Sequence, residues 1–575
     1  MSTPWSEWKG RAGQWLLHSP FHPLYLRLFP PHPSANLYNA WLAQERAPEA
    51  QPLTREPLIS VILPIYNPRR DWLEAAVDSI LRQTYPRWQL CVCDDASREP
   101  WIAEYFAALA AGDPRVRFVR SPENLGISGA SNRAAELAGG EYFAFLDQDD
   151  LLAQFALYAI AAAVQDRPVI LYSDHDYLDS EGRRVQPIFK PGYSPDLLRC
   201  SMYFGHLFAV RADRFRELSG FRSDFDGSQD YDLALRLTEK PAAVRHIPHM
   251  LYHWRQHAES TALHAGAKPF TQSAGLRALS EAIHRQDSQA KVEPGPLANT
   301  YRVRWPVPVD LKASLIICSR NARLLKRCLR AIDRRTAHAN REIAIVEHRT
   351  GDNAESAAMG RLLNARDCIR VPYTGAFNFA AMNNLGASHA TGDVLVFLND
   401  DVLPLDPNWL HELLAHARRP ATGIAGARLL YPSGAIQHAG IAIGIMDGSG
   451  HPCRHQFASR YWSWLPFTRN VSAVTGACLA IRKSVFEELH GFDEAFPVNY
   501  NDVDLCLRAR QAGYQIVLEP NAVLRHYECQ SREPGVHPEE SALFASRWAA
   551  VLEAGDPFYN PNLNRTGEDA SIRLP

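Results

Sequence analysis

"GGEYFAFLDQDDLL" (residues 139–152) decides the reading of this chain: an apolar run of the kind that forms a buried strand ends in three carboxylates within four residues. "GDVLVFLNDDVLP" (392–404) repeats it, and a shift of 252 positions carries both Gly140 onto Gly392 and Asp149 onto Asp401. The same plan is used twice in one chain.

The segments around the first copy alternate in period. "LISVILPIY" (58–66) is apolar and β-branched, "DWLEAAVDSILRQT" (71–84) has helical spacing, and "QLCVCD" (89–94) returns to strand. "WIAEYFAALAAG" (101–112), "RVRFVR" (115–120) and "SGASNRAAELAGG" (128–140) continue as helix, strand and helix before "EYFAFL". Such alternation predicts an α/β fold with a mainly parallel, Rossmann-like sheet covered by helices on both faces. Ligands bind such sheets at the carboxyl ends of the strands, where Asp147, Gln148, Asp149 and Asp150 fall. The second copy repeats the order in "ASLIICSRN" (313–321), "REIAIVEHRT" (341–350), "FAAMNNLGASHATGD" (379–393) and "VLVFL" (394–398).

A Pro-rich, aperiodic stretch at 288–313 separates the copies. The expected organisation is an N-terminal helical arm over 1–55, a first domain over 56–300 and a second over 301–575. Trp5, Trp8 and Trp15 in the arm suit either a membrane surface or packing on the first domain.

Composition narrows the partners. With 61 basic and 63 acidic residues in 575, and a net charge of −2, the chain gives no reason to expect nucleic acid. Its ten cysteines form no CxxC pair, and Cys91 and Cys93, two apart on a strand, read as packed thiols in a reducing compartment. No apolar run reaches about 18 residues, so the expectation is a cytoplasmic protein, at most peripheral to the inner face of a membrane.

Two carboxylates at a strand end need a cation or a structural reason. A divalent ion takes oxygen ligands from one or two carboxylates together with substrate phosphates. The alternative is that Asp150 caps a helix beginning at Leu151. Recurrence of the acids at the same place in both copies favours the ion.

Several segments resemble glycosyltransferase family 2, the inverting, nucleotide-sugar-dependent enzymes of GT-A fold. In the first copy these are "SVILPIYN", "QTYPRWQLCVCDDAS", "NLGISGASNRAAELAGGEYFAFLDQDD" and "GSQDYDLALR". In the second they are "FNFAAMNNLGASHATGDVLVFLNDDV", "VTGACLAIRKSVFEELHGFDEAF" and "NDVDLCLRARQAGY". The likeness is strongest to bacterial members that build surface polysaccharides, rhamnosyltransferase-like enzymes among them. It implies Mn²⁺ or Mg²⁺, a UDP- or dTDP-sugar donor, and a glycan or lipid-linked glycan acceptor such as a growing O-antigen.

The resemblance also assigns roles. Asp230 and Asp502 correspond to the family's catalytic base, while capping of their helices explains the same acids equally well. Asp232 and Asp504 are expected to pair with Arg236 and Arg508 at i,i+4. Asp149 and Asp401 are the expected metal ligands, joined by a histidine: His526 in the second copy, and either His253 or His257 in the first. Donor contacts fall on Pro64, Tyr66, Asn67, Asp95, Asn132 and Asp147. Their second-copy places hold Asn321, His348, Asn384 and Asn399, with Arg320 where Tyr66 stands. Because Asn399 replaces Asp147 and His348 replaces Asp95, the two sites are expected to differ in donor or acceptor, and one active plus one degenerate binding domain is the rival reading.

Overall fold

The computed structural model describes residues 37–49, 51–256, 269–349, 351, 354–446, 448–457, 463–528 and 535–574. These form two compact units, one over the described residues from 37 to 304 and one over those from 305 to 573. The arm is described from Leu37: helix Leu37–Leu42 buries Tyr38 and Trp41 on the first unit, with Trp41 set edge-on to Phe189. Trp5, Trp8 and Trp15 lie outside the described residues.

The first unit is built on a nine-stranded sheet. Strand Ile59–Ile65 lies between Trp88–Asp94 and Tyr142–Phe145, and Val116–Arg120 adds beyond Trp88–Asp94, all parallel. Every residue of Ile59–Ile65 except Pro64 is buried, as a continuous apolar run between two helical layers requires. Helix Arg70–Leu81 supplies one cover through Leu73, Ala76, Val77 and Ile80, spaced i, i+3, i+4, i+7. Beyond Tyr142–Phe145 the sheet turns mixed: Phe208–Arg211 runs antiparallel and joins Ile170–Leu178, which carries Val244–Arg255 on its other side.

The second unit repeats this order in a ten-stranded sheet. Ala313–Ser319 takes the place of Ile59–Ile65, Val394–Leu398 that of Tyr142–Phe145 and Cys478–Arg482 that of Phe208–Arg211. Details repeat as well. A Cβ on Gly140 would meet Ser60 Oγ at 2.6 Å, and a Cβ on Gly392 would meet Ser314 Oγ at 2.6 Å, so glycine stands two residues before each strand.

One buried pair in the second unit gives a pH dependence. His416 Nε2 lies 2.9 Å from Glu519 Oε2, and Thr468 donates to the same oxygen at 2.7 Å. Burial alone would raise the Glu519 carboxyl, but these bonds and the His416 charge hold it at about 2. A carboxyl lowered on folding stabilises the native state above its unfolded value and loses that contribution as pH falls toward the folded one. Urea unfolding should therefore show about 3 kcal/mol lost between roughly pH 4.5 and pH 2, a slope that Glu519→Gln removes.

Candidate active sites

In both copies the strand-end acids sit on the same turn. Asp150 N–H donates to the Asp147 carbonyl at 3.3 Å, and Val402 N–H to that of Asn399 at 3.2 Å. The chain then re-enters the sheet as a short strand, Leu151–Leu152 in the first copy and Val402–Pro404 in the second. This corrects the helix-capping alternative for Asp150: its helix begins only at Ala156. Asp150 is instead fully buried, accepting from Tyr252 Oη at 2.6 Å and Arg255 N–H at 2.7 Å. Burial first, then Asp149 and Asp147, raise its carboxyl well above the usual range.

In the second copy two expected metal ligands meet. Val402 pairs with His526 across the ladder, and His526 Nε2 stands 3.3 Å from Asp401 Oδ1, both side chains being 8% exposed. His526 Nδ1 is buried with no hydrogen-bond partner.

The first copy differs at this point. Leu151 pairs with His253, so the first-copy residue in the ladder place of His526 is Trp254, one residue further on. Tyr252 and Trp254 both pack against His206, at 4.6 and 5.0 Å between ring centroids. His253 lies between them in sequence, and strand alternation turns it to the opposite face. There its Nδ1 meets Asp176 Oδ1 at 2.6 Å. His257 lies outside the described residues.

The first site gains a histidine that sequence reasoning missed. His206 Nε2 lies 3.9 Å from Asp147 Oδ2, and the charges of Asp230 and Asp149 also act on the ring. Burial lowers its pKa to about 4, so the ring is neutral at neutral pH. Behind it Lys190 is fully buried, its Nζ donating to the carbonyls of Phe204 (2.5 Å) and His206 (2.6 Å) and to that of Ser173.

The base candidates stand on the first turns of helices Gln229–Thr238 and Asn501–Gln511. Burial raises both the Asp230 and Asp502 carboxyls. Asp230 accepts from Tyr231 N–H at 2.8 Å and feels the charges of His206 and Asp147. Asp502 accepts from Gly476 N–H at 2.7 Å, while the next residue's carbonyl, of Ala477, accepts from Asn399 N–H at 3.0 Å. One loop thus ties the helix acid to the strand-end turn. His438, 2.9 Å from His451 between their Nδ1 atoms, accepts from Thr475 N–H at the same loop at 3.4 Å.

Asp232 and Asp504 pair with Arg236 and Arg508 at 2.8 and 2.7 Å. Each arginine in turn donates to the carbonyl of a positive-φ glycine, Gly220 or Gly491, at 2.8 Å.

The donor residues divide. Tyr66 is 45% exposed at its strand end because the Gln148 amide holds its backbone, accepting from Tyr66 N–H at 2.8 Å and donating to its carbonyl at 3.2 Å. Pro64 is the second-last residue of the same strand, and Asn67 accepts from Arg98 N–H at 2.9 Å. Asp95 is buried, accepting from Leu125 and Gly126 N–H at 2.7 and 3.0 Å as the anion at the start of helix Gly126–Glu136. Asn132 and Asn384 are occupied elsewhere: each amide brackets the backbone of a phenylalanine, Phe221 or Phe492, accepting at 2.9 Å in both cases. Asn321 caps helix Ala322–Arg334, and His348 Nε2 meets the Gly375 carbonyl at 3.0 Å.

Among the described residues no group of three or more His, Cys, Asp or Glu side chains is placed to hold a metal ion. Each site is short of one donor that the other has, with Asn399 facing the role of Asp147 and Trp254 that of His526.

The fold and these paired sites define a duplicated α/β scaffold. The chain belongs to glycosyltransferase family 2: the model described as "Glycosyl transferase family 2" matches residues 60–218, and that described as "Glycosyltransferase like family 2" matches 312–549. "Uncharacterized protein y4gI" of Sinorhizobium fredii is 37% identical over 543 residues, covering 91% of this chain and 59% of that protein. "O-antigen biosynthesis protein RfbC" of Myxococcus xanthus is 35% identical over 564 residues, covering 95% of this chain and 44% of that protein. This chain thus spans about half the length of these relatives. A solved structure of S. aureus TarS 1–349 with UDP-GlcNAc matches 40% of this chain and 67% of its own, at 17% identity and a TM-score of 0.33.

Proposed function

We propose that the chain is an inverting glycosyltransferase with two active sites, each moving a sugar from a nucleotide-sugar donor to a surface glycan, with a lipid-linked glycan as the acceptor. The observation that carries this reading is the pair of helix-borne acids, Asp230 and Asp502, half-buried with raised carboxyls: Asp230 feels the charge of Asp147 on its strand-end turn, and Asp502 is tied to the turn at Asn399 through Gly476 and Ala477.

Asp230 or Asp502 takes the proton of the acceptor hydroxyl as its oxygen bonds to the anomeric carbon. The bond from that carbon to the donor's phosphate oxygen breaks on the opposite face, and the nucleoside diphosphate leaves with the electron pair. A carboxyl raised by burial is the stronger base once ionised. Tyr66 offers an exposed ring at the donor end of the first site. Neutral His206 donates or accepts hydrogen bonds beside Asp147 without adding charge.

Asp401 and His526 fit a divalent ion, offering oxygen and imidazole donors 3.3 Å apart in a nearly closed site. Such an ion, when bound, neutralises charge on the departing diphosphate. In the first copy Asp147 and Asp149 are the oxygen donors. Chelation with EDTA should abolish second-site release of nucleoside diphosphate and Mn²⁺ should restore it. His526→Ala should raise the Mn²⁺ concentration for half-maximal rate roughly tenfold or more. An unchanged metal response in His526→Ala would remove that ligand.

A second reading has support from Asn399: with one acid fewer, the second domain binds glycan or nucleotide without turning it over. Assaying Asp230→Asn alone separates the two readings, since the second reading leaves no activity and the first leaves the second domain's reaction.

A further inference from the structure

Helix Ala322–Arg334 and helix Arg70–Leu81 occupy the same place in the two units and bury the same face. Leu73, Ala76, Val77 and Ile80 in one correspond to Leu325, Cys328, Leu329 and Ile332 in the other, 252 positions on. The outward faces differ in charge: on the first helix Asp71, Glu74 and Asp78 are balanced by ion pairs with Arg69, Arg70 and Arg82. Asp71, Glu74 and Asp78 of the first helix are replaced by Arg323, Lys326 and Arg330. Arg327, Arg334 and Arg335 extend the cationic face, and all six of these residues are exposed. The scaffold itself asks only for the buried positions, so the difference is a property of the second unit's surface alone.

These side chains line a groove of about 610 Å³ whose other wall is Leu403, Pro404 and Leu405. Arg525 closes it, paired with Leu403 across the ladder and one residue before His526. The acid of this helix, Asp333, pairs with Arg366, and among the described residues none of the groove's cations forms an ion pair with an acid. Arg327 stacks on Tyr527 at 3.5 Å, which holds one guanidinium in place. Seven cations without counter-charges, set around an apolar floor in a chain of net charge −2, suit a dense array of phosphates.

We propose that this groove docks the second unit on an anionic lipid surface, its cations meeting phosphate headgroups and Leu403 and Leu405 lying at their level. Juxtamembrane cations each strengthen such binding about fivefold near the surface. Because the Val402–Pro404 strand leads directly from Asp401 into the groove wall, docking would hold the second site beside the lipid surface. The proposal does not depend on which sugar is transferred.

The test is co-sedimentation of the full chain with vesicles of phosphatidylcholine alone and of phosphatidylcholine with phosphatidylglycerol in equal parts, at low and high salt. Expected is binding to the anionic vesicles only, weakened by salt, and weakened roughly tenfold to thirtyfold by Lys326→Ala with Arg330→Ala. Arg69→Ala with Arg82→Ala, at the two ends of the first unit's matching helix, should leave binding unchanged. Circular dichroism and melting of each variant exclude misfolding, since all four residues are exposed. Equal binding to neutral vesicles, or wild-type binding by the Lys326/Arg330 variant, would overturn the proposal. So would inorganic pyrophosphate or duplex DNA binding at the groove with no binding to vesicles, which would reassign it to a soluble phosphate ligand or nucleic acid.

Discussion

Asp502→Asn should lower the second domain's turnover about 10²- to 10⁴-fold, the usual worth of a positioned general base. The Asn side chain still accepts from Gly476 N–H, as the carboxylate does at 2.7 Å, so the loop stays in place and the donor KM should change little. The same substitution at Asp230 should act on the first domain alone. In the wild type the rate should fall as pH drops through a value above the ordinary carboxylate range, because burial raises both acids and only the ionised form takes a proton. An acid limb at the ordinary carboxylate value would mean that neither acid is the base.

The second large effect is on stability. Asp504 is fully buried and accepts from Arg508 Nε at 2.7 Å, Arg547 Nη1 at 2.9 Å and Trp548 Nε1 at 3.1 Å. Asp504→Ala removes one anion and leaves two guanidiniums and an indole N–H facing a vacated site. Breaking a buried pair in this way costs about 3–5 kcal/mol. Chemical denaturation should show that loss, with Arg508 no longer fixed against the Gly491 carbonyl. A change under about 0.5 kcal/mol, the range of ordinary surface substitutions, would show that the network adds nothing.

What the sequence made legible was set by periodicity and duplication. Runs such as "SVILPI" read as doubly covered strands, and the i,i+4 spacing of Asp232 with Arg236 and of Asp504 with Arg508 led directly to the observed pairs. The strand-end acids were legible because two copies carried them. His206 was not, because its loop, "YFGHLF", has no period and reaches Asp147 only through the antiparallel pairing of Phe208–Arg211 with Tyr142–Phe145. The choice between His253 and His257 left out Trp254, since a shift of one residue along a strand reverses the face and only the ladder fixes the register. Asn132 and Asn384 looked like ligand contacts, yet each brackets a chain reversal. The signal was present only in part: each copy carries a Gly-Phe pair between the strand-end acids and the helix acid, and a Cβ on Gly220 or Gly491 would stand 2.3 or 2.6 Å from the asparagine oxygen.

The most direct test of the central claim is the mass of a lipid-linked acceptor after incubation with nucleotide sugars and Mn²⁺, for wild type, Asp230→Asn and Asp502→Asn. Two separate transferase sites predict that each variant loses a different addition. Loss of every addition in Asp230→Asn, with the Asp502→Asn product identical to that of wild type, would contradict it and leave the second domain as a binding module.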